Sequence, residues 1–478
     1  MIAANTINLD ELIGDFQVFI DGKVTGRTVM KISQQLSTGL LHRAIAGTGG
    51  QMSKLTRKTA LFGLGIAVML SACASVQSDF DLSFSDTPGF DDERLERIDE
   101  AVAAEIASGK ISGAVALIAK DGQTVYHKSF GLADVDSQTP MQTDSIFRIA
   151  SMTKAITSVG VMMLYERGYF QLNDPVSDFI PAFKNPQVAV AFGGDGEVIE
   201  TRSAKSEIKV VDLLSHSSGI SYAFINQPLQ QSYKAGGVID GLTAADVKLA
   251  DGMRRLAAQP LLFDPGTQFA YGLNTDVLGY LIEVVSGKPL DRFFREEIFA
   301  PLGMTDTDFY LPESKADRLV TLYADVDGLR VSDGTEADIK LDNPRYPVEG
   351  AKAYFSGGAG LSSTASDYAR FVQMLLNEGE LDNQRLLSRK SVELMRAARI
   401  DWDDDGLADF GLGFQVIGDI GKAGEIGSEG AYSWGGAYNT SYWIDPKEGL
   451  IGVFMSQVRP TTSDITSRYR TLVYQALE

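Results

Sequence analysis

The sequence predicts an α+β fold: one antiparallel sheet flanked by helices and built from both chain ends, plus a mostly helical inserted domain. Strand-like segments occur near residues 113–132 and again between 410 and 457. The stretch from Gln171 to about Val348 is rich in helices and loops, with Pro and Gly punctuation. No internal repeat is visible. Strands at both ends with helices between make one sheet assembled from the two termini the simplest layered solution.

In chain order, Met52 opens MSKLTRKTALFGLGIAVMLSACAS. Lys54, Arg57 and Lys58 form a basic head, Ala60 to Leu70 an apolar core too short to span a bilayer, and small residues follow. This reads as a signal peptide over 52–73, with translation starting at Met52 and residues 1–51 an upstream extension outside the mature protein. Leu70-Ser-Ala-Cys73 resembles a bacterial lipobox, so Cys73 is the expected lipidation site. The expected location is the bacterial cell envelope, lipid-anchored on the periplasmic side. The alternative is a buried N-terminal helix, which leaves the chain cytoplasmic. Residues 74–90, rich in Ser, Asp and Gly, read as a tether. The sheet domain is expected over 91–170 and 350–478, and the helical insertion over 171–349.

Within that frame a helix is expected from Asp92 to Ser108. Two strands, Gly113–Lys120 and Thr124–Leu132, flank Asp121-Gly122, a strong hairpin signal. An apolar helix from Ile149 to Tyr165 stops at Gly168. Others are expected at Thr275–Val285, closed by Gly287, and at Leu290–Phe299. Thr364 with Asp367 is a variant capping box opening a helix to Asn377, ended by Gly379. Strands are expected at Phe410–Ile417, Tyr442–Ile444 and Leu450–Gln457. A last helix places Ile465, Tyr469, Leu472, Val473 and Ala476 on one face.

Composition narrows the function. The net charge of −20 argues against nucleic-acid binding, which needs a basic footprint. One cysteine allows no internal disulfide and no cysteine-built zinc site. His42, His127 and His216 stand singly, so no histidine-built metal centre is expected. Asp401-Trp-Asp403-Asp-Asp405-Gly406 with Asp409 mimics the start of a calcium loop. Leu412 stands where a bidentate Glu belongs, and the turn reads as solvated acid. No metal and no cofactor are expected.

The chemistry is concentrated at Ser151-Met-Thr-Lys154. Residues three apart on a helix share a face, so an amine stands beside a hydroxyl. The surroundings are apolar, and a desolvated lysine loses its proton readily. That is the minimum arrangement for an activated serine nucleophile.

Several separate motifs carry a resemblance. FRIASMTKAITSVGVMMLYERG (147–168), LLSHSSGI (213–220), FDPGTQFAYG (263–272), SGGAGLSSTASDYARFV (356–372) and WGGAYNTSYWIDP (434–446) look like the serine β-lactamase-related superfamily. They are most similar to its family VIII carboxylesterases, and the likeness spans about 91–478. It implies a β-lactamase/transpeptidase-like fold, with Ser151 as nucleophile and Lys154 as the lysine of S-x-x-K. Tyr271 matches the tyrosine of Y-x-N, and Trp434-Gly435-Gly436 the element that is K-T-G in lactamases. It implies an oxyanion hole from the backbone N–H groups of Ser151 and Ala437, with Gly435 and Gly436 letting a substrate carbonyl approach the strand. Lys154 and Tyr271 are expected to move the proton as a pair, which of them is the base being left open. His216 lies in a Ser-rich loop common to the family; with no G-x-S-x-G in the chain it reads as structural.

Two departures from the lactamase pattern point to esters. Leu273 takes the place of the asparagine in Y-x-N and is expected to touch substrate, with Asn274 one residue off. Trp434 replaces the lysine of K-T-G. Losing an amide and a cation weakens the hold on an anionic β-lactam, and an aromatic favours neutral apolar groups. The expected activity is hydrolysis of short-acyl carboxylic esters, with weak cephalosporin hydrolysis as a side activity. The alternatives are a class C-like β-lactamase or D-amino-acid peptidase, and a non-catalytic peptidoglycan- or ligand-binding protein. The expected partner is a small-molecule ester. A membrane is expected only through the N-terminal lipid anchor, and the oligomeric state is left open.

Overall fold

The computed structural model describes residues 89–193, 197–225, 227–332, 345–403 and 409–478. The signal segment with Cys73 lies outside them, as do residues 1–51 and the tether up to residue 88. Among the described residues no helix is long and apolar enough to cross a membrane.

Helix α1 (Asp92–Ala107) is capped by Asp91, whose carboxylate accepts from the Arg94 N–H. Strands β1 (Gly113–Lys120) and β2 (Gln123–Asp134) form the expected hairpin. Asp121 and Gly122 both take positive φ, 51° and 81°, as a tight two-residue turn requires. Strand β3 (Thr139–Pro140) pairs with β2. A 3₁₀ turn at Ala150–Met152 runs into α2 (Thr153–Glu166). Then come α3 (Asn274–Ser286), closed by left-handed Gly287, and α4 (Ala365–Leu376), capped by the Thr364 hydroxyl on the Asp367 N–H. Strands β4 (Gln415–Val416), β5 (Tyr432–Gly436), β6 (Thr440–Asp445) and β7 (Leu450–Met455) precede α5 (Ile465–Tyr474).

The seven strands form one sheet in the order β4-β5-β6-β7-β1-β2-β3, antiparallel throughout. The two chain ends meet where β1 pairs with β7, Val115 opposite Met455. Because both faces of β1 are covered, it reads as a continuous apolar run. Val115, Leu117 and Ala119 join the large core that includes α2, α3 and α4 residues. Ala114, Ala116 and Ile118 join a second core with Ile98 and Val102 of α1 and Tyr469 and Val473 of α5. Gly452 of β7 makes room for Trp443 of β6 in that second core. A Cβ there would stand 2.1 Å from the indole ring.

The region between α2 and α4 holds α3 and shorter helices, such as Val210–Leu214 and Leu249–Ala257. It also holds two small hairpins, at 187–203 and 323–331, which the sequence did not signal. The expected strand over 410–417 shrinks to Gln415–Val416. Gly411 and Gly413 break the run, and Gly413 takes φ 99°. The helix expected over Leu290–Phe299 is α-helical only to Phe294 and continues as a π-turn.

Candidate active site

Ser151 stands in the 3₁₀ turn just ahead of α2 and lines a cavity of about 850 Å³. Ala150 before it holds φ 41°, an uncommon conformation for a residue with a Cβ. Such strain costs on the order of 1–3 kcal/mol and persists where packing enforces it. The Ala150 methyl sits in a small core with Leu242, Tyr346, Ala359 and Tyr438.

Lys154, in the first turn of α2, is 2% exposed. Its Nζ donates to Ser151 Oγ at 3.3 Å, to Tyr222 Oη at 3.1 Å and to the Gly358 carbonyl at 2.8 Å. The three donors of one ammonium thus meet three acceptors. Tyr271 lies just ahead of α3 and presents its ring face to the same Nζ, 4.6 Å from the ring centroid. Its phenol oxygen accepts from Trp434 Nε1 at 3.1 Å. The Trp434 indole packs against Tyr271, Phe410 and Trp402, with centroids 5.4, 5.3 and 5.8 Å away, so one cavity wall is aromatic.

Strand β5 brings the remaining predicted residues to Ser151. A Cβ on Gly436 would meet the Ile149 carbonyl at 2.3 Å, so only glycine lets β5 press against the chain two residues before Ser151. Gly435, Gly436 and Ala437 line the cavity with Ser151, Tyr271 and Trp434.

Buried polar groups surround this centre. Asp276 of α3 accepts from the Ser356 hydroxyl at 2.6 Å. Its pKa is pushed up to about 6 by burial, against the pull of that bond and of Lys154. Asp240 at the cavity wall is likewise raised to about 6 by burial, although it accepts from the Ala223 and Phe224 N–H groups. The Tyr222 phenol is held far above its ordinary range by burial, then by Asp276, which keeps it neutral. His216 is buried beside Tyr271 at 4.8 Å between centroids, its pKa driven well down by burial and then by Lys154. A neutral imidazole wedged behind the tyrosine positions it; His216 does not line the cavity.

The β-lactamase family profile matches residues 98–476. The chain belongs to the β-lactamase family. The enzyme is 32% identical to esterase EstB of Burkholderia gladioli over 371 residues, 74% of this chain and 88% of that protein. It is 28% identical to ML-236A carboxylate methylbutanoyltransferase mlcH of Penicillium citrinum over 423 residues, 80% of this chain and 95% of that protein. Among solved structures, EstCE1, a hydrolase with promiscuous acyltransferase activity, superposes with a TM-score of 0.70 at 30% identity. It covers 80% of this chain and 99% of that one. With these relatives the enzyme is a hydrolase of the serine β-lactamase-like superfamily, on its family VIII carboxylesterase branch.

One expected substrate contact is corrected. Leu273 is fully buried at the head of α3 and does not line the cavity. Its neighbour Asn274 points away as well, bridging the Ser218 hydroxyl, His216 Nδ1 and the carbonyls of Ile220 and Ala270. The helix start at Asn274 turns both side chains inward, where they hold the Ser-rich loop. Sequence reading missed Tyr222 and the Gly358 carbonyl as partners of Lys154. The signals were the position of Gly358 inside the quoted 356–372 motif and of Tyr222 two residues beyond LLSHSSGI. Beside the cavity, the carboxylates of Asp401, Asp403 and Asp409 converge within 4.8 Å. Asp409 also accepts from the Trp402 N–H.

Proposed function

We propose that the enzyme cleaves carboxylic esters of short acyl chains through an acyl-enzyme on Ser151. The observation that carries this reading is the 3.3 Å contact of Lys154 Nζ with Ser151 Oγ, which lines one cavity with Tyr271, Trp434 and Ala437. Ser151 Oγ attacks the ester carbonyl while its proton passes to the Lys154–Tyr271 pair. Lys154 already spends two of its donors on Tyr222 and Gly358, and two groups touch the Tyr271 phenol. These are the indole N–H bonded to it and the ammonium over its ring. Tyr271 is therefore the proton acceptor in this reading. The carbonyl oxyanion lies between the N–H groups of Ser151 and Ala437. As the C–O bond breaks, Tyr271 returns the proton to the departing alcohol, and water then repeats the sequence on the acyl-enzyme.

The test is intact mass spectrometry after a brief pulse of p-nitrophenyl butyrate. A butyryl adduct on Ser151 is expected, and Tyr271→Phe should lower kcat by about 10²–10⁴-fold and leave that adduct in place. No adduct, with Ser151→Ala still active, sinks the proposal. Nitrocefin should turn over more slowly than the ester; the reverse order would favour the lactamase reading.

A second reading, acyl transfer to an alcohol, is supported by the size of the cavity. About 850 Å³ leaves room for an acceptor beside a short acyl group, and the aromatic wall disfavours bulk water. Added 1-butanol should then divert part of the butyryl group into butyl butyrate.

A further inference from the structure

One buried acid beside the site has no place in the proton path. Asp276, in the first turn of α3, is fully buried and does not line the cavity. What it holds is the turn Ser356-Gly357-Gly358-Ala359. Its Oδ1 accepts from the Ser356 hydroxyl at 2.6 Å, and Ser356 Oγ accepts from the Ala359 N–H at 3.0 Å. The Gly358 N–H also draws on the carboxylate. From the other side, Thr157 Oγ1 of α2 donates to the Gly357 carbonyl at 2.6 Å. The turn is thus pinned between α2 and α3. Its Gly358 carbonyl is the nearest of the three acceptors of Lys154, at 2.8 Å against 3.1 and 3.3 Å.

Two glycines make this fit possible. A Cβ on Gly357 would stand 2.5 Å from the Thr275 carbonyl. A Cβ on Gly358 would stand 2.5 Å from Asp276 Oδ2 and 3.2 Å from Tyr222 Oη, so both groups lie against that one residue. Charge gives Asp276 a second part. The titratable groups facing it are Lys154 from α2, Tyr222 and Asp240 from the segment after the Ser-rich loop, and Tyr346 and Tyr354 from the segment leading into the turn. Burial holds the three phenols neutral, and Lys154 is the one cation among these groups. All three acceptors bonded to Lys154 are neutral. A buried cation is costly without an opposite charge, and Asp276 lies on the far side of Gly358 from it.

We propose that Asp276 is a positioning residue for Ser151: it anchors the Ser356–Ala359 turn and balances the charge of Lys154, which keeps the ammonium between Gly358, Tyr222 and Ser151 Oγ. Asp276 touches no reacting atom and acts through the turn and through Lys154. The role rests on the reading in which the Lys154–Tyr271 pair activates Ser151.

The rate at which a fluorophosphonate labels Ser151 reads this directly, alongside kcat and KM for p-nitrophenyl butyrate per labelled site. Asp276→Asn keeps the shape and an oxygen for Ser356 but removes the charge. At about pH 8 it should lower the labelling rate and kcat about tenfold or more, with KM within about twofold. The wild-type carboxyl takes up a proton as pH falls through about 6, so at about pH 5 the two proteins should label at nearly the same rate. Equal rates at about pH 8, or a ratio that stays constant down to about pH 5, overturn the proposal, because a purely structural role gives one or the other. If Asp276→Asn does not fold, Ser356→Ala decides: it cuts the turn loose from Asp276 and should slow labelling severalfold, and a wild-type rate there overturns the proposal. Labelling that depends on Asp276 without turnover of the ester would leave the positioning role standing and remove the esterase reading.

Discussion

Lys154 is a buried lysine of the candidate active site, and its environment explains why an ammonium tolerates burial. Each of its three donors ends on an acceptor, and two aromatic faces lie within 5.4 Å of the charge. Removing one acceptor frees a buried donor, which costs about 1.5–3 kcal/mol where a charge is involved. Tyr222→Phe should therefore lower kcat tenfold or more with KM nearly unchanged, because the loss falls on the orientation of Lys154 toward Ser151 and not on substrate contact. A pure KM effect in steady-state kinetics would show that Tyr222 acts as a wall of the pocket only. The same logic separates Trp434 from a packing residue: its indole N–H is committed to the Tyr271 oxygen, so the departure from K-T-G reaches Tyr271 itself.

At the scale of elements, glycines decide how closely strands approach what they serve. Gly436 brings β5 against Ile149, and Gly452 lets Trp443 lie flat across β7 in the core beneath α5. Gly452→Ala forces its methyl into the indole. Overpacking of this kind costs about 1–3 kcal/mol, so the urea midpoint should fall, with kcat of the folded fraction little changed. An unchanged midpoint would mean that the indole can move aside. Strand β5 was legible only through the family resemblance, because two of its five residues are glycine and propensity argues against a strand. Its partner β6 supplies the ladder that defines it.

For the whole molecule, buried carboxyls set a pH dependence. Asp367 of α4 accepts from the Asp306 N–H and the Thr307 hydroxyl, yet burial raises its pKa to about 6. The unfolded value is about 3.9, so the fold prefers the protonated form. The stability this contributes is complete below about pH 4 and is lost as pH rises through 6, up to about 3 kcal/mol. Asp367→Asn cannot ionise. Its stability relative to wild type should improve between pH 4 and pH 7, read by urea unfolding at each pH. A constant difference across that range would show that Asp367 ionises freely in the fold.

Much of this enzyme is written in short-range patterns. The Asp121-Gly122 hairpin, the Thr364 cap, the Gly287 stop and the Ser151–Lys154 spacing are local, each decided by a few neighbouring residues and their backbone preferences, and each is legible in the sequence. The motifs also named the family. What the tertiary structure alone decided are relations between distant segments: that Lys154 leans on Tyr222 and Gly358, that Leu273 turns into the core, and that Trp434 bonds to Tyr271. Those depend on which way a side chain points once sheet and insertion close on each other, and direction across a fold is set by packing of the whole, which no local preference contains.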